Sequence, residues 1–112
     1  MPTSIVRVDA LRSVSYSSIT SSYTTLGGSF SHETRIIKLT NNTDGDLLIS
    51  FDGTTDNLFL PAFSFTLYDI TTNREQNDIY LIFQVGTQVF VKYSISPSKG
   101  AVYLECLYGQ GE

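Results

Sequence analysis

Few side chains in this chain could do covalent or acid–base chemistry, and their spacing keeps them apart. His32 is the single histidine, flanked by Ser31 and Glu33. A hydrolytic triad needs a nucleophile, a base and an orienting acid to converge in space. Neighbours on an extended chain point to opposite faces, so these three residues cannot form that group among themselves. His32 therefore reads as a loop or strand-start residue. Cys106 is the single cysteine and lies in the apolar run 101–108. A small buried hydrophobe is expected there rather than a nucleophile. One histidine and one cysteine fall short of the three or four ligands of a zinc site. The residues point to no enzyme: no catalytic residue, no metal and no cofactor is expected.

Two acidic stretches need separate treatment. Asn42, Asp44 and Asp46 alternate as calcium-loop ligands do. However, Leu47 stands where such a loop needs Gly, and Gly53 stands where it needs a bidentate Glu. A solvated turn is expected instead. Asp52 and Asp56 could pair as the acid and base of a glycosidase, but they flank Gly53-Thr54-Thr55 with no apolar pocket to raise a pKa. Asn41-Asn42-Thr43 fits the glycosylation acceptor pattern, which matters only in a secretory lumen.

The aromatic residues are more informative. The chain has seven Tyr, seven Phe and no Trp. Phe59, Phe63 and Phe65 share a face if 58–69 is one strand. Sandwich core is the expectation for them, with an aromatic platform for a sugar or a partner as the functional alternative. Tyr16 and Tyr23 lie in a polar stretch, and Tyr suits interfaces because it is rigid and hydroxyl-tipped. Tyr16, Tyr23, Leu26, Phe30 and Phe59 are the candidate partner-interface residues.

The whole chain bounds what can position these groups. At 112 residues it is one domain. Apolar content of 41% is enough for a core. The net charge is −4, and the seven basic residues are scattered. A phosphate backbone or an anionic membrane needs clustered Lys and Arg, so neither partner is expected. No apolar run approaches the roughly 20 residues that span a bilayer. Met1-Pro2-Thr3-Ser4-Ile5-Val6-Arg7 lacks the basic stretch and apolar core of a secretory signal. A lone cysteine implies no oxidising compartment.

Hydrophobic periodicity is two almost everywhere, with turn residues recurring every eight to twelve positions or so. The predicted fold is all-β: a single antiparallel β-sandwich of about seven or eight strands, jelly-roll or immunoglobulin-like, in meander-like order. Residues 3–14 read as the first strand. Residues 13–31, rich in Ser and Thr and interrupted by Gly27-Gly28, read as a polar arm or weak strand. Such an arm is expected to be loosely held until a neighbouring subunit orders it. Residues 34–40 and 47–51 read as a hairpin about Asp44-Gly45, because Gly accepts positive φ. Residues 58–69 form the next strand, with Pro61 marking an edge, bulge or break. Residues 73–78 read as a charged loop, 79–85 and 87–95 as a hairpin about Gly86, and 101–108 as the last strand.

One further pattern runs through 34–109. Leu39-Thr-Asn-Asn-Thr-Asp-Gly-Asp-Leu-Leu-Ile-Ser-Phe-Asp-Gly53 resembles a segment of small virion proteins of tailed bacteriophages. The stretches 60–73, 86–93 and 100–109 fit the same pattern. The resemblance implies a structural part of the particle, on the head surface as a decoration protein or at the head–tail junction as a connector. It implies other virion proteins (capsid, portal or tail components) as partners, a homo-oligomer or symmetric array, and manufacture in the host bacterial cytoplasm. It carries no catalytic residue across. The alternative from a different class is a carbohydrate- or receptor-binding β-sandwich, such as a fibre-tip domain.

Overall fold

The computed structural model describes residues 5–69 and 83–110. Nine strands are formed there: β1 (Ile5–Val8), β2 (Arg12–Ser15), β3 (Thr24–Thr25), β4 (Thr34–Thr43), β5 (Leu47–Ser50), β6 (Leu58–Leu60), β7 (Ser64–Asp69), β8 (Phe90–Tyr93) and β9 (Gly100–Gln110). The sole helical element among the described residues is a three-residue 3₁₀ turn, Tyr16–Ser18. The strands make two antiparallel sheets packed face to face, so the chain is a β-sandwich. One sheet runs β1-β9-β4-β7, with β2 beside β1 along the same edge of β9. The other runs β3-β8-β5-β6.

Period-two alternation builds the core. β4 turns Ile37 and Leu39 inward, and β9 turns Val102, Leu104 and Cys106 inward. From the opposite sheet come Leu47, Ile49, Leu60, Val89 and Val91. Each fully buried aliphatic side chain contributes about 1.5–3 kcal/mol of transfer free energy. The remaining core members are Ile19, Leu26 and Phe30, all from the Ser- and Thr-rich segment.

Chain order differs from a meander. Among the described strands, β5 and β6 are the one consecutive pair that is hydrogen-bonded. The expected hairpin about Asp44-Gly45 does not form: β4 pairs with β9 and β7, while β5 pairs with β6 and β8. Residues 44–46 instead carry the chain from one sheet to the other. Gly45 is there for space rather than for positive φ. A Cβ on it would strike the Ile95 carbonyl and come within 2.7 Å of the Pro97 nitrogen.

Around Gly86 the described residues do not pair as the expected hairpin would. Of its first strand, 79–82 lie outside the described residues, as does the expected charged loop 73–78. Phe83 bridges to Thr34 rather than to β8. The edge of β8 that a hairpin partner would use is taken by residues 24–30. Thr24 and Thr25 pair with Val91 and Phe90, and the Leu26 and Phe30 amides donate to the Val89 and Thr87 carbonyls at 2.7 and 2.9 Å.

Two predicted strands are broken. The first is interrupted at 9–11, splitting β1 from β2. Residues 58–69 are divided at Pro61 into β6 and β7, which belong to different sheets. Proline cannot donate to a ladder, and Phe63 beyond it takes a φ of 55°. The corner therefore resets which side chains face in.

Candidate functional site

The groups weighed for chemistry are each occupied by the fold. His32 stacks flat on Tyr108, with ring centroids 3.7 Å apart and planes 3° from parallel. Cys106 is buried, and removal from water pushes its thiol up to about 11. The Arg12 guanidinium, 3.6 Å from Sγ, opposes that shift only in part. A thiol held protonated is a poor nucleophile at neutral pH.

The acidic turn 42–46 works as a clasp. Asp44 accepts hydrogen bonds from the Ser98 hydroxyl, the larger cause, and from the Ser98 backbone amide (2.7 Å), which hold its carboxyl below the usual range. The Asp46 carboxylate accepts from the Ala62 amide at 3.0 Å. Between them Asn41 is fully buried. Its amide nitrogen donates to the carbonyls of Gly45, Leu60 and Pro61 at 2.9–3.0 Å, and its oxygen accepts from the Thr43 amide and hydroxyl. These oxygens tie three loops together at one end of the sandwich. Asn41 is sealed from any glycosylating enzyme once folded. Among the described residues, no three His, Cys, Asp or Glu side chains are grouped as metal ligands.

Asp52 and Asp56 are tuned the wrong way for a general acid, which must hold its proton near neutral pH. Asp52 accepts from the Thr55 and Thr54 amides (2.7 and 2.8 Å) and from the Thr55 and Ser50 hydroxyls. Those bonds hold its carboxyl well below the usual range, with the Thr55 amide the largest cause. Asp56 is lowered first by the Tyr23 hydroxyl, which donates to it at 2.6 Å, and further by Lys92 at 3.4 Å.

The five candidate interface residues separate cleanly. Leu26 and Phe30 are core side chains with almost no exposure, so the protein's own interior takes the contacts expected of a partner. Arg12 reinforces the segment: its guanidinium donates to the Gly28 and Ser29 carbonyls, pairs with Asp9 at 3.2 Å and lies 5.2 Å from the Phe30 ring centroid. Tyr23 is half-buried, bound to Asp56 and covered by the Lys92 ammonium 4.7 Å from its ring centroid. Burial and then the Asp56 carboxylate push its hydroxyl well above the ordinary value. Tyr16 and Phe59 remain exposed.

The larger surprise is the outer surface. Phe59, Phe63 and Phe65 are not core: they are 58%, 62% and 63% exposed. They do not share a face either, because the break at Pro61 puts Phe59 outside the four-stranded sheet and Phe65 outside the five-stranded one. β7 is inverted relative to an ordinary half-buried strand. Phe65 and Leu67 face solvent, while Ser64, Thr66 and Tyr68 take the partly buried positions. The register decides this. Ser64, Thr66 and Tyr68 stand opposite Asn41, Leu39 and Ile37, which face the core. Alternation alone identifies the two faces of β7, but not which is inside.

That register collects an apolar outer face on the five-stranded sheet. Phe65 shares an outward row with Thr40 and Tyr103, Leu67 one with Lys38 and Glu105, and Val8, Leu107 and Ile36 form a third that ends at Asp69. Phe63 adds a ring at the corner. A non-glycine residue in the left-handed region costs about 1–2 kcal/mol, yet here it displays a large exposed ring. On the other sheet, Phe59 aligns outward with Leu48 and Lys92.

The fold places the chain in the class of antiparallel β-sandwich proteins. Neither a protein family nor a curated protein matches it. Among solved structures, the chain is similar to the Dit (gp 19.1) protein of phage SPP1, described as a paradigm of the hub adsorption apparatus in phages that infect Gram-positive hosts. The TM-score is 0.42 at 12% identity, covering 92% of this chain and 49% of that one. The chain thus spans about half the length of that protein. A likeness this distant bears no weight for function.

Proposed function

We propose that this is a non-enzymatic structural protein of a tailed-phage virion, seated on the head surface or at the head–tail junction and working through its outer sheet faces. One observation carries the reading: large apolar side chains stand in solvent on both outer faces of the sandwich, while the candidate chemical groups are tied up in holding loops. Apolar surface gathered in patches marks contact sites. The sequence resemblance over 34–109 supplies the setting. Phe59, with Leu48 beside it, is the contact to a virion neighbour.

Co-sedimentation tests the proposal. Purified protein should pellet with heads or with joined particles assembled without it. Phe59→Asp, shown folded by circular dichroism, should stay in the supernatant. Wild-type protein that pellets with neither would sink the reading. The second reading, a sugar-binding module, draws on the same outward row, in which Leu48 stands between Phe59 and Lys92, since small-molecule sites pair apolar walls with a few polar groups. Specific binding on a glycan array, without pelleting, would decide for it.

A further inference from the structure

We infer that the outer face of the five-stranded sheet packs against the same face of a second copy of this chain. The inference concerns a different surface from Phe59 and stands whether or not the virion reading does.

The first argument is the inversion of β7. A strand whose outward face is Phe65 and Leu67, and whose inward face includes Ser64 and Thr66, is ordered for two contacts. The inner one is modest. The outer one carries Val8, Leu107 and Ile36 in one row and Tyr103 and Phe65 in another, with Glu105, Lys38 and Leu67 in the row between, and Val8 is 73% exposed. Leaving such a face in water forgoes about 25 cal/mol for each Å² that could be buried.

The second argument is charge, which selects the occupant. Near the middle of this face stand one cation and one anion, Lys38 on β4 and Glu105 on β9, directly opposite each other in the ladder. The Lys38 ammonium lies 5.0 Å from the Phe65 ring centroid. A face carrying both signs at its centre is complementary to itself under a two-fold rotation: Lys38 of each copy can meet Glu105 of the other. A two-fold interface requires that self-complementarity. A purely acidic or basic partner would be met by one attractive and one repulsive charge.

Size sets the strength. Four strand positions at about 4.8 Å spacing and some seven residues at about 3.3 Å rise give a face roughly 20 Å on a side. That is about 800 Å² over both copies, below the range of stable specific interfaces, so the pair should be weak and assemble reversibly with concentration. Pairing through this face leaves both Phe59 surfaces outermost, one on each side of a four-layer unit. The dimer would then present two copies of the other contact.

Analytical ultracentrifugation tests this with charge reversals. Wild-type protein should shift from monomer towards dimer as concentration rises. Lys38→Glu makes the centre of the face wholly acidic, and Glu105→Lys makes it wholly basic. Each alone should stay monomeric, and an equal mixture of the two should recover the dimer mass. Circular dichroism and melting of each variant exclude unfolding, which these surface positions make easy to avoid. A monomeric wild type at every concentration would overturn the inference, because another segment or partner must then cover the face. Reversals that leave the dimer intact would equally overturn it, placing the contact elsewhere. Phe59→Asp should leave the dimer unchanged, so this result and the co-sedimentation result can fail separately.

Discussion

At the scale of single residues, polar side chains that look available for chemistry are engaged in joining loops. Asn41 is the clearest case, because one buried amide serves backbone groups of two stretches, 43–45 and 60–61. Asn41→Ala strands those carbonyls and the Thr43 amide in the interior, where each unmade hydrogen bond is costly. The expected loss is about 2–3 kcal/mol, read from the urea midpoint with an unchanged slope. A loss below about 0.5 kcal/mol, typical of an ordinary surface position, would contradict the clasp. Asp52 yields a pH prediction. Its folded pKa lies below the ordinary 3.8 because the folded state donates hydrogen bonds to the carboxylate. The stabilisation is therefore fully present above pH 3.8 and is lost as pH falls through the folded value. Asp52→Asn should lower neutral-pH stability and flatten the acid limb of a pH–melting curve. Parallel limbs for the two proteins would rule this out.

At the scale of elements, register and close approach decide more than propensity does. The 44–46 turn reaches the other sheet only because Gly45 lets the 95–97 backbone touch it. Gly45→Ala must push two backbones apart and should destabilise by about 2 kcal/mol or more. Gly28→Ala is the control: a Cβ there meets nothing within 4 Å, so the melting temperature should hold or rise slightly. Equal effects at the two positions would show that close packing is not the reason for Gly45. β7 makes the same point from the other direction. Its polar face is held inward by pairing with β4, and its apolar face is left for a neighbour.

At the scale of the whole molecule, the segment 13–31 closes the sandwich. It leaves the five-stranded sheet at β2, inserts Ile19, Leu26 and Phe30 into the core, and completes the four-stranded sheet as β3. Free, unassembled protein should resist limited proteolysis between Ile19 and Phe30, since cleavage requires core side chains to leave first. Rapid cutting there, with the rest of the domain intact, would restore the loosely held arm expected from composition. Its three core residues lie seven and four positions apart among Ser, Thr and Gly. A window average therefore reads the segment as polar, although a few well-placed side chains suffice to anchor it.

The sequence by itself determined the class of fold, because period-two alternation can bury one face of each strand only by packing sheet on sheet. It also shows one histidine and one cysteine, which fall short of the three or four ligands of a zinc site. Tertiary structure alone decided which strands pair, because the edge of β8 available to a hairpin was taken by residues distant in the chain. It alone decided that Leu26 and Phe30 are interior while Phe59, Phe63 and Phe65 are not. Local pattern fixes two faces for a strand but not their direction. That direction comes from register against β4 and from the change of sheet at Pro61, both of which are long-range facts.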